Sequence, residues 1–569
     1  MKNKTEVLLI RLFATYLLLG FAALVPSLIF GSEQQGDYDV MAFGAKGDGK
    51  TLDTAAIQSA IDKATQAGGG RVTLPPGAYL SGSLHLKSHV ELHLEQGATL
   101  LGSTSRSDYG TAYYDKVKRY ALLLADGQED VAISGQGTID GQGRALALNI
   151  LQQIKNGEIT TRQRLENNPN EEERPSLILF VGCRKVKLTD ITLLASSCWT
   201  EIYYNCQDLV FEGIHVHSFV FWNNDGIDLV DCKHAQVSHC DFYSEDDGIC
   251  LKSEKGGIGC DDIEINDCRV CSVMCNAFKL GTASGVGFHN IHANNITVDN
   301  SRRSAIDLDC VDGGVLDDVL IENVHGTNTG NAIFLRLGHR DINGDIGKLQ
   351  DITIRNVSVE IAPYKPHNDP QDLDLPPINS TTNTSIHASI KRAKAPHQDV
   401  CSSSIVGLPG HPVQNVNLEN IRITYPGAES NQRHGLTIDK LSSIPELPAQ
   451  YPEFWMFGNL PAWGFYLRHA EGINFSNVCI VLQNSDYRPA FVMDDVKNVN
   501  ADKLVINSAP YQPLFVLQDV QDASFDNMSL PIPGSEAIKT QGNCLKINVS
   551  QSQKVVESGN ADAVKTGAN

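Results

Sequence analysis

Apolar residues recur along most of this chain in a three-beat pattern. Counted from Cys183, Cys206, Cys232 and Cys260, which lie 23, 26 and 28 residues apart, the third residue on is Val186, Leu209, Ala235 or Ile263. The fifth is Leu188, Phe211, Val237 or Ile265, and the eighth is Ile191, Ile214, Cys240 or Cys268. The beat continues from Phe288, Leu316 and Leu349, and returns after a gap at Val413, Ala470, Val496 and Val520. Apolar residues two apart share one face of a strand. A third after a short break means that the chain has turned a corner and faces inward again. Short strands with a period of about 20–30 residues, none able to bury its inner face alone, predict a solenoid built by stacking. These units lack the three- and four-residue spacings of helices, so the predicted fold is an all-β parallel β-helix. The stacked cysteines suit its interior as small hydrophobes. Cys268, Cys271 and Cys275 have no matching second pair, so a structural role is expected and no metal is assigned.

Other patterns mark the ends and the interruptions. Residues 53–67 place Ala56, Ile57, Ala60, Ile61 and Ala64 on one helical face before Gly68-Gly69-Gly70, predicting a helix that covers the open N-terminal end of the ladder. Residues 144–174 read as a polar insertion, 362–412 as an irregular loop rich in proline from Pro363 to Pro377, and 430–468 as a further insertion. The first two would wall a cleft. A single domain is expected over 38–545, with a polar tail at 550–569. At the N-terminus Lys2, Lys4 and Arg11 precede the apolar run Leu12–Phe30, followed by Gly31-Ser32. Residues 1–32 are therefore expected to be a cleaved export signal, which places the mature protein in the periplasm or outside the cell. An uncleaved anchor is the competing reading, since the run approaches a spanning length.

Charge narrows the class of partner. The chain has 46 Lys and Arg against 67 Asp and Glu, a net charge of −21. That balance argues against nucleic acid and anionic membranes, which attract a basic face, and the mature protein is expected to act as a monomer.

A second register carries candidate chemistry. The segment Asp225-Gly226-Ile227-Asp228-Leu229 aligns with Asp247-Gly248-Ile249-Cys250-Leu251, and further coils place Asn276, Ser304 and Asn331 at the same turn position. Neighbouring strands lie about 4.8 Å apart, so Asp225 and Asp247 would be stacked, with Asp246 beside them and Glu245 alongside. Clustered carboxylates repel, and one should hold its proton more tightly than usual. A protonated and an ionised carboxyl in one cleft can protonate a leaving glycosidic oxygen and activate water. Asp-Gly is also ordinary turn chemistry; the stacked pair and the extra aspartate favour the catalytic reading.

The chain resembles glycoside hydrolase family 28, the polygalacturonase family of pectin-degrading enzymes, over roughly residues 38–530. The resemblance rests on FGAKGDGKTLDTAAIQSAIDKA (43–64), on 68–103, on NNDGID (223–228), on EDDGICLKS (245–253), and on 407–421 and 451–469. It implies a right-handed, pectin-lyase-like β-helix and hydrolysis of galacturonic acid-containing pectic polysaccharide with inversion, without a cofactor or metal. Asp246 would be the general acid, and Asp225 and Asp247 would position and deprotonate the water. Two departures stand out. Asn276 occupies the place of the family's Gly-His-Gly histidine, and Asp307-Leu308-Asp309 replaces its Arg-Ile-Lys. Lys252, Asp309 and Arg336 fall in one outward row, so Arg336 is expected to neutralise Asp309, and Arg336 or Lys279 would supply a cation to the substrate. A surface salt-bridge row is an equal reading. Asn276, Lys252, Lys279 and Arg336 are thus the candidate binding residues. A rhamnogalacturonan or other plant glycan hydrolase, a β-helix pectate lyase and a non-catalytic glycan-binding solenoid are the alternatives.

Overall fold

The computed structural model describes residues 36–114, 116–160, 170–362, 402–427, 438–458, 460–508, 513–531, 537–550, 555–557 and 564–566. The expected export signal lies outside them, as does most of the proline-rich stretch. Among the described residues no helix is long and apolar enough to cross a membrane.

Residues 37–569 form one compact unit, a right-handed parallel β-helix. The three-beat pattern maps onto its coils. Val186, Leu209, Ala235, Ile263, Ile291, Val319, Ile352, Val416, Ile473 and Val499 are stacked partners in one continuous parallel ladder. All point into a core that runs the length of the unit. Each short break in the pattern is a corner. Asp190, Gly213, His239, Asp267, Asn295 and Asn323 have φ between 53° and 64°. This left-handed conformation suits Gly, and Asn and Asp tolerate it better than other residues. Cys183, Cys206, Cys232 and Cys260 are buried free thiols in the ladder.

The helix Thr54–Gln66 buries Ile57, Ala60, Ile61 and Ala64 against the first strands, which shields the apolar edge a solenoid would otherwise expose. Two expected insertions hold regular structure. Residues 143–155 are a helix whose Leu146, Ala147, Ile150 and Leu151 are buried. Within 362–412, Ser403–Val406 is a full rung, pairing Asn331–Leu337 on one side and Phe465–Leu482 on the other. Its Ile405 joins the inward column between Leu335 and Leu467, so the loop reading fails there for a packing reason.

One sheet presents an unusual outer face. The hairpin Thr111–Tyr114/Val117–Asp126 covers its N-terminal coils, where Ala112, Tyr114 and Leu124 cluster with Leu179, Ile202 and Val230. Residues 441–458 and 460–462 cover its C-terminal coils, where Leu441, Phe454, Phe457 and Leu460 cluster with Phe334, Val406 and Tyr466. Between these two apolar covers Asp228, Lys279 and Asp307 stand with Cys250 in one stacked outward row.

Candidate active site

The two Asp-Gly turns stack directly. Gly226 N donates to the Asp247 carbonyl at 2.9 Å, and Gly248 N donates to that of Asn276 at 2.9 Å. A Cβ at Gly226 would lie 2.3 Å from the Gly248 oxygen, and one at Gly248 would lie 2.2 Å from Val270 Cγ1. Only glycine lets the turns close so tightly, and that closeness brings the flanking aspartates together. Carboxylate oxygens of Asp225 and Asp247 lie within 4.8 Å of each other, as do those of Asp246 and Asp247.

Different partners give the three aspartates different states. Asp247 Oδ1 accepts from Asn276 N at 3.0 Å and Asn276 Nδ2 at 3.2 Å, while Oδ2 faces Lys279 Nζ at 3.3 Å. Burial pushes its pKa up, but Lys279, Arg303, Lys252 and the Asn276 bond outweigh it, so the Asp247 carboxyl is held below its ordinary range. Asp225 goes the other way. Burial and the neighbouring charges of Asp228, Asp246 and Asp247 raise it well above the usual range, against the pull of Lys252 at 3.2 Å. Its Oδ1 is buried with no hydrogen-bond partner. Asp246 is half-buried, as are Glu245, Trp199 and Trp222. Its Oδ2 accepts from Asn223 Nδ2 at 3.2 Å, and Arg174 fixes Asn223 by donating to Oδ1 at 2.8 Å. Ser244 and Ser272 hydroxyls hold the Asp246 carbonyl at 2.9 Å and 2.7 Å. Burial and the Asp246 charge push Glu245 up to about 8.

The candidate binding residues fall into two groups. Asn276 joins the cluster as the clamp on Asp247, filling the place expected of a histidine, and its Oδ1 accepts from Ser304 N at 2.9 Å. Lys252 and Lys279 join it as counter-ions. Lys252 bridges Asp225 and Asp228 and sits over the Trp199 ring at 3.9 Å. Lys279 is buried between Asp247 and Asp307, the latter at 3.8 Å. Arg336 does not join it. It follows Asp309 in the predicted row, but its guanidinium donates to the carbonyls of Gly407 at 3.1 Å and Glu446 at 2.7 Å and lies 5.1 Å from the Phe457 ring centre. The expected Asp309–Arg336 ion pair is therefore corrected. Carbonyls of the covering segment saturate Arg336, and both carboxylate oxygens of Asp309 are buried without hydrogen bonds. Burial and Asp307 raise Asp309 well above the carboxylate range, so it stays neutral by keeping its proton.

Several site residues carried weaker signals. Arg303 forms an ion pair with Glu453 and acts on Asp247 through its charge. It occupies the column just before the turn position (Asn224, Asp246, Cys275, Arg303), which the register contained. Tyr451 and Glu453 come from a covering loop whose docking no periodicity encodes. On the same outward face, Tyr113, Lys116, Tyr204, Lys255 and Gly256 line a surface cavity of about 570 Å³. The rings of Trp199, Tyr114 and Tyr204 connect it to Lys252 at centroid separations of 5.9 Å and 4.9 Å. As for metals, Asp225, Asp247 and Cys250, or Asp246, Asp247 and Cys275, bring three ligand-type atoms together. Burial raises both thiols well above their ordinary range, and thiols bind metals as thiolates, so these groupings suit proton chemistry better than metal binding.

Residues 38–273 match the family model described as rhamnogalacturonase A/epimerase, pectate lyase-like. An exo-poly-alpha-D-galacturonosidase of Dickeya chrysanthemi is 26% identical over 57% of this chain and 62% of its own. A probable polygalacturonase of Vitis vinifera is 28% identical over 50% of this chain and 59% of its own. The chain thus spans about three fifths of the length of these curated relatives. Among solved structures, the tailspike of E. coli bacteriophage HK620, in complex with a pentasaccharide, has a TM-score of 0.50 at 12% identity. That likeness covers 93% of this chain and 78% of the tailspike and concerns the fold alone. With stacked Asp-Gly turns on a parallel β-helix and curated relatives of this kind, the chain is similar to the polygalacturonases of glycoside hydrolase family 28.

Proposed function

We propose that this protein is an exported glycoside hydrolase that cleaves a pectic polysaccharide or oligosaccharide by carboxylate acid–base catalysis with inversion. The observation that carries the reading is the convergence of Asp225, Asp246 and Asp247 from two adjacent coils. Asp246, the least buried of the three carboxyls, protonates the leaving glycosidic oxygen. Asp247, kept ionised by Lys279, Arg303 and Asn276, takes the proton of the attacking water. Asp225, with one buried unpartnered oxygen, orients that water between them. The water oxygen bonds to the anomeric carbon as the glycosidic bond breaks, so the products are a hemiacetal and an alcohol.

The experiment is a reducing-sugar assay on a panel of pectins, with the product anomer read by NMR before mutarotation. Release of reducing ends with an inverted anomer is the expected result. An unsaturated product absorbing in the ultraviolet would indicate a lyase instead, and binding without release would indicate a glycan-binding solenoid.

A further inference from the structure

The electrostatics around Asp247 bear on which sugar is cleaved. Three cations lower its pKa, Lys279, Arg303 and Lys252, and each already has a carboxylate partner. Lys279 is buried between Asp247 and Asp307, Lys252 bridges Asp225 and Asp228, and Arg303 holds Glu453. Arg336, the remaining candidate, is turned onto backbone carbonyls. A sugar carboxylate placed here would be an added anion facing ionised Asp247, and each nearby cation already contacts a protein carboxyl. Such an anion is disfavoured in a partly desolvated site. The groups left for a ligand are of another kind. Asp225 Oδ1 is buried without a hydrogen-bond partner, and a carboxyl oxygen accepts hydrogen bonds from hydroxyls.

We infer that the glycosyl residue whose anomeric carbon is attacked is uncharged, a neutral sugar or an esterified uronate, and not a free galacturonate. The inference rests on the hydrolase reading above and deepens it. Hydrolysis makes that residue the new reducing end, so its identity is directly readable.

The test uses the full chain on homogalacturonan oligomers, the same oligomers fully methyl-esterified, an alternating rhamnose–galacturonate oligomer and neutral pectic side-chain oligosaccharides. New reducing ends are labelled and identified by mass spectrometry. Uncharged residues are expected at the new reducing end, and where esterified and free oligomers are both cleaved, the ester is expected to react at least tenfold faster. Free galacturonate as the main new reducing end, or faster cleavage of the free acid, would overturn the inference while leaving the hydrolase reading intact. Failure to release reducing ends from every substrate would overturn the hydrolase reading, and the inference with it.

Discussion

Lys279 sets the protonation pattern of the site, because it holds Asp247 ionised from within the protein. Replacing it by methionine keeps the length and removes the charge, stranding Asp247 beside Asp307 in a buried setting. Breaking a buried pair in this way costs about 3–5 kcal/mol, so Lys279→Met is expected to lower the denaturant midpoint strongly and to shift the pH–activity profile alkaline, as Asp247 becomes harder to ionise. An unchanged midpoint and profile would remove Lys279 from this role. Asn276→Ala is the milder case. It deletes the 3.2 Å side-chain bond to Asp247 and leaves the backbone bond. One charge-assisted bond is worth about 1.5–3 kcal/mol, and kcat is expected to fall roughly tenfold to a hundredfold with KM little changed. The pairing of Asp225 with Asp247 was legible as a register match between turns. The fate of Arg336 was not, because its carbonyl partners Gly407 and Glu446 lie 71 and 110 residues away in sequence, on segments with no repeat to align.

At the scale of the element, the Asp-Gly turns and the aromatic path across the sheet face make separate predictions. Gly248→Ala would drive a methyl into Val270 and the Ala277 oxygen, which its Cβ would meet at 2.2 and 2.8 Å. Overpacking of this kind costs about 1–3 kcal/mol, and here it also displaces Asp247. Lower thermal stability together with lost turnover is expected; an active, equally stable variant would show that the turn has room to spare. Tyr113→Ala, at the exposed edge of the 570 Å³ cavity, should raise KM several-fold for long substrates and leave kcat alone, since distal contacts bind ground and transition states alike. The ladder strands were readable because period-two alternation is imposed residue by residue. The helix at 143–155 was missed, although Leu146, Ala147, Ile150 and Leu151 lie at spacings of three and four, because the polar residues around them masked that face. The rung Ser403–Val406 offers only four residues beside a proline-rich stretch, and pairing with two distant strands, not local pattern, makes it a strand.

For the β-helix as a whole, one buried acid links stability to pH. Glu201 points into the core, in the column of Ile178 and Ile227, and Tyr203 Oη donates to it at 2.7 Å. Burial raises Glu201 from 4.5 to about 8, so the native state keeps a proton that the unfolded chain gives up. Stability from this group is full below about pH 4.5, declines as pH rises, and is lost once pH passes about 8. Melting temperature is expected to fall across that window, and Glu201→Gln should flatten the fall; an identical slope in the variant would place the linkage elsewhere. The interval between the two apolar covers of the β-helix is where the charged side chains stand. The central claim is that carboxyls in this interval perform the hydrolysis. It is tested most directly by comparing kcat of Asp246→Asn with that of the unaltered protein on its best pectic substrate, at matched melting temperature. A loss of about 10²–10⁴-fold, the range for a general acid, is predicted; turnover undiminished in a folded Asp246→Asn protein would contradict the account.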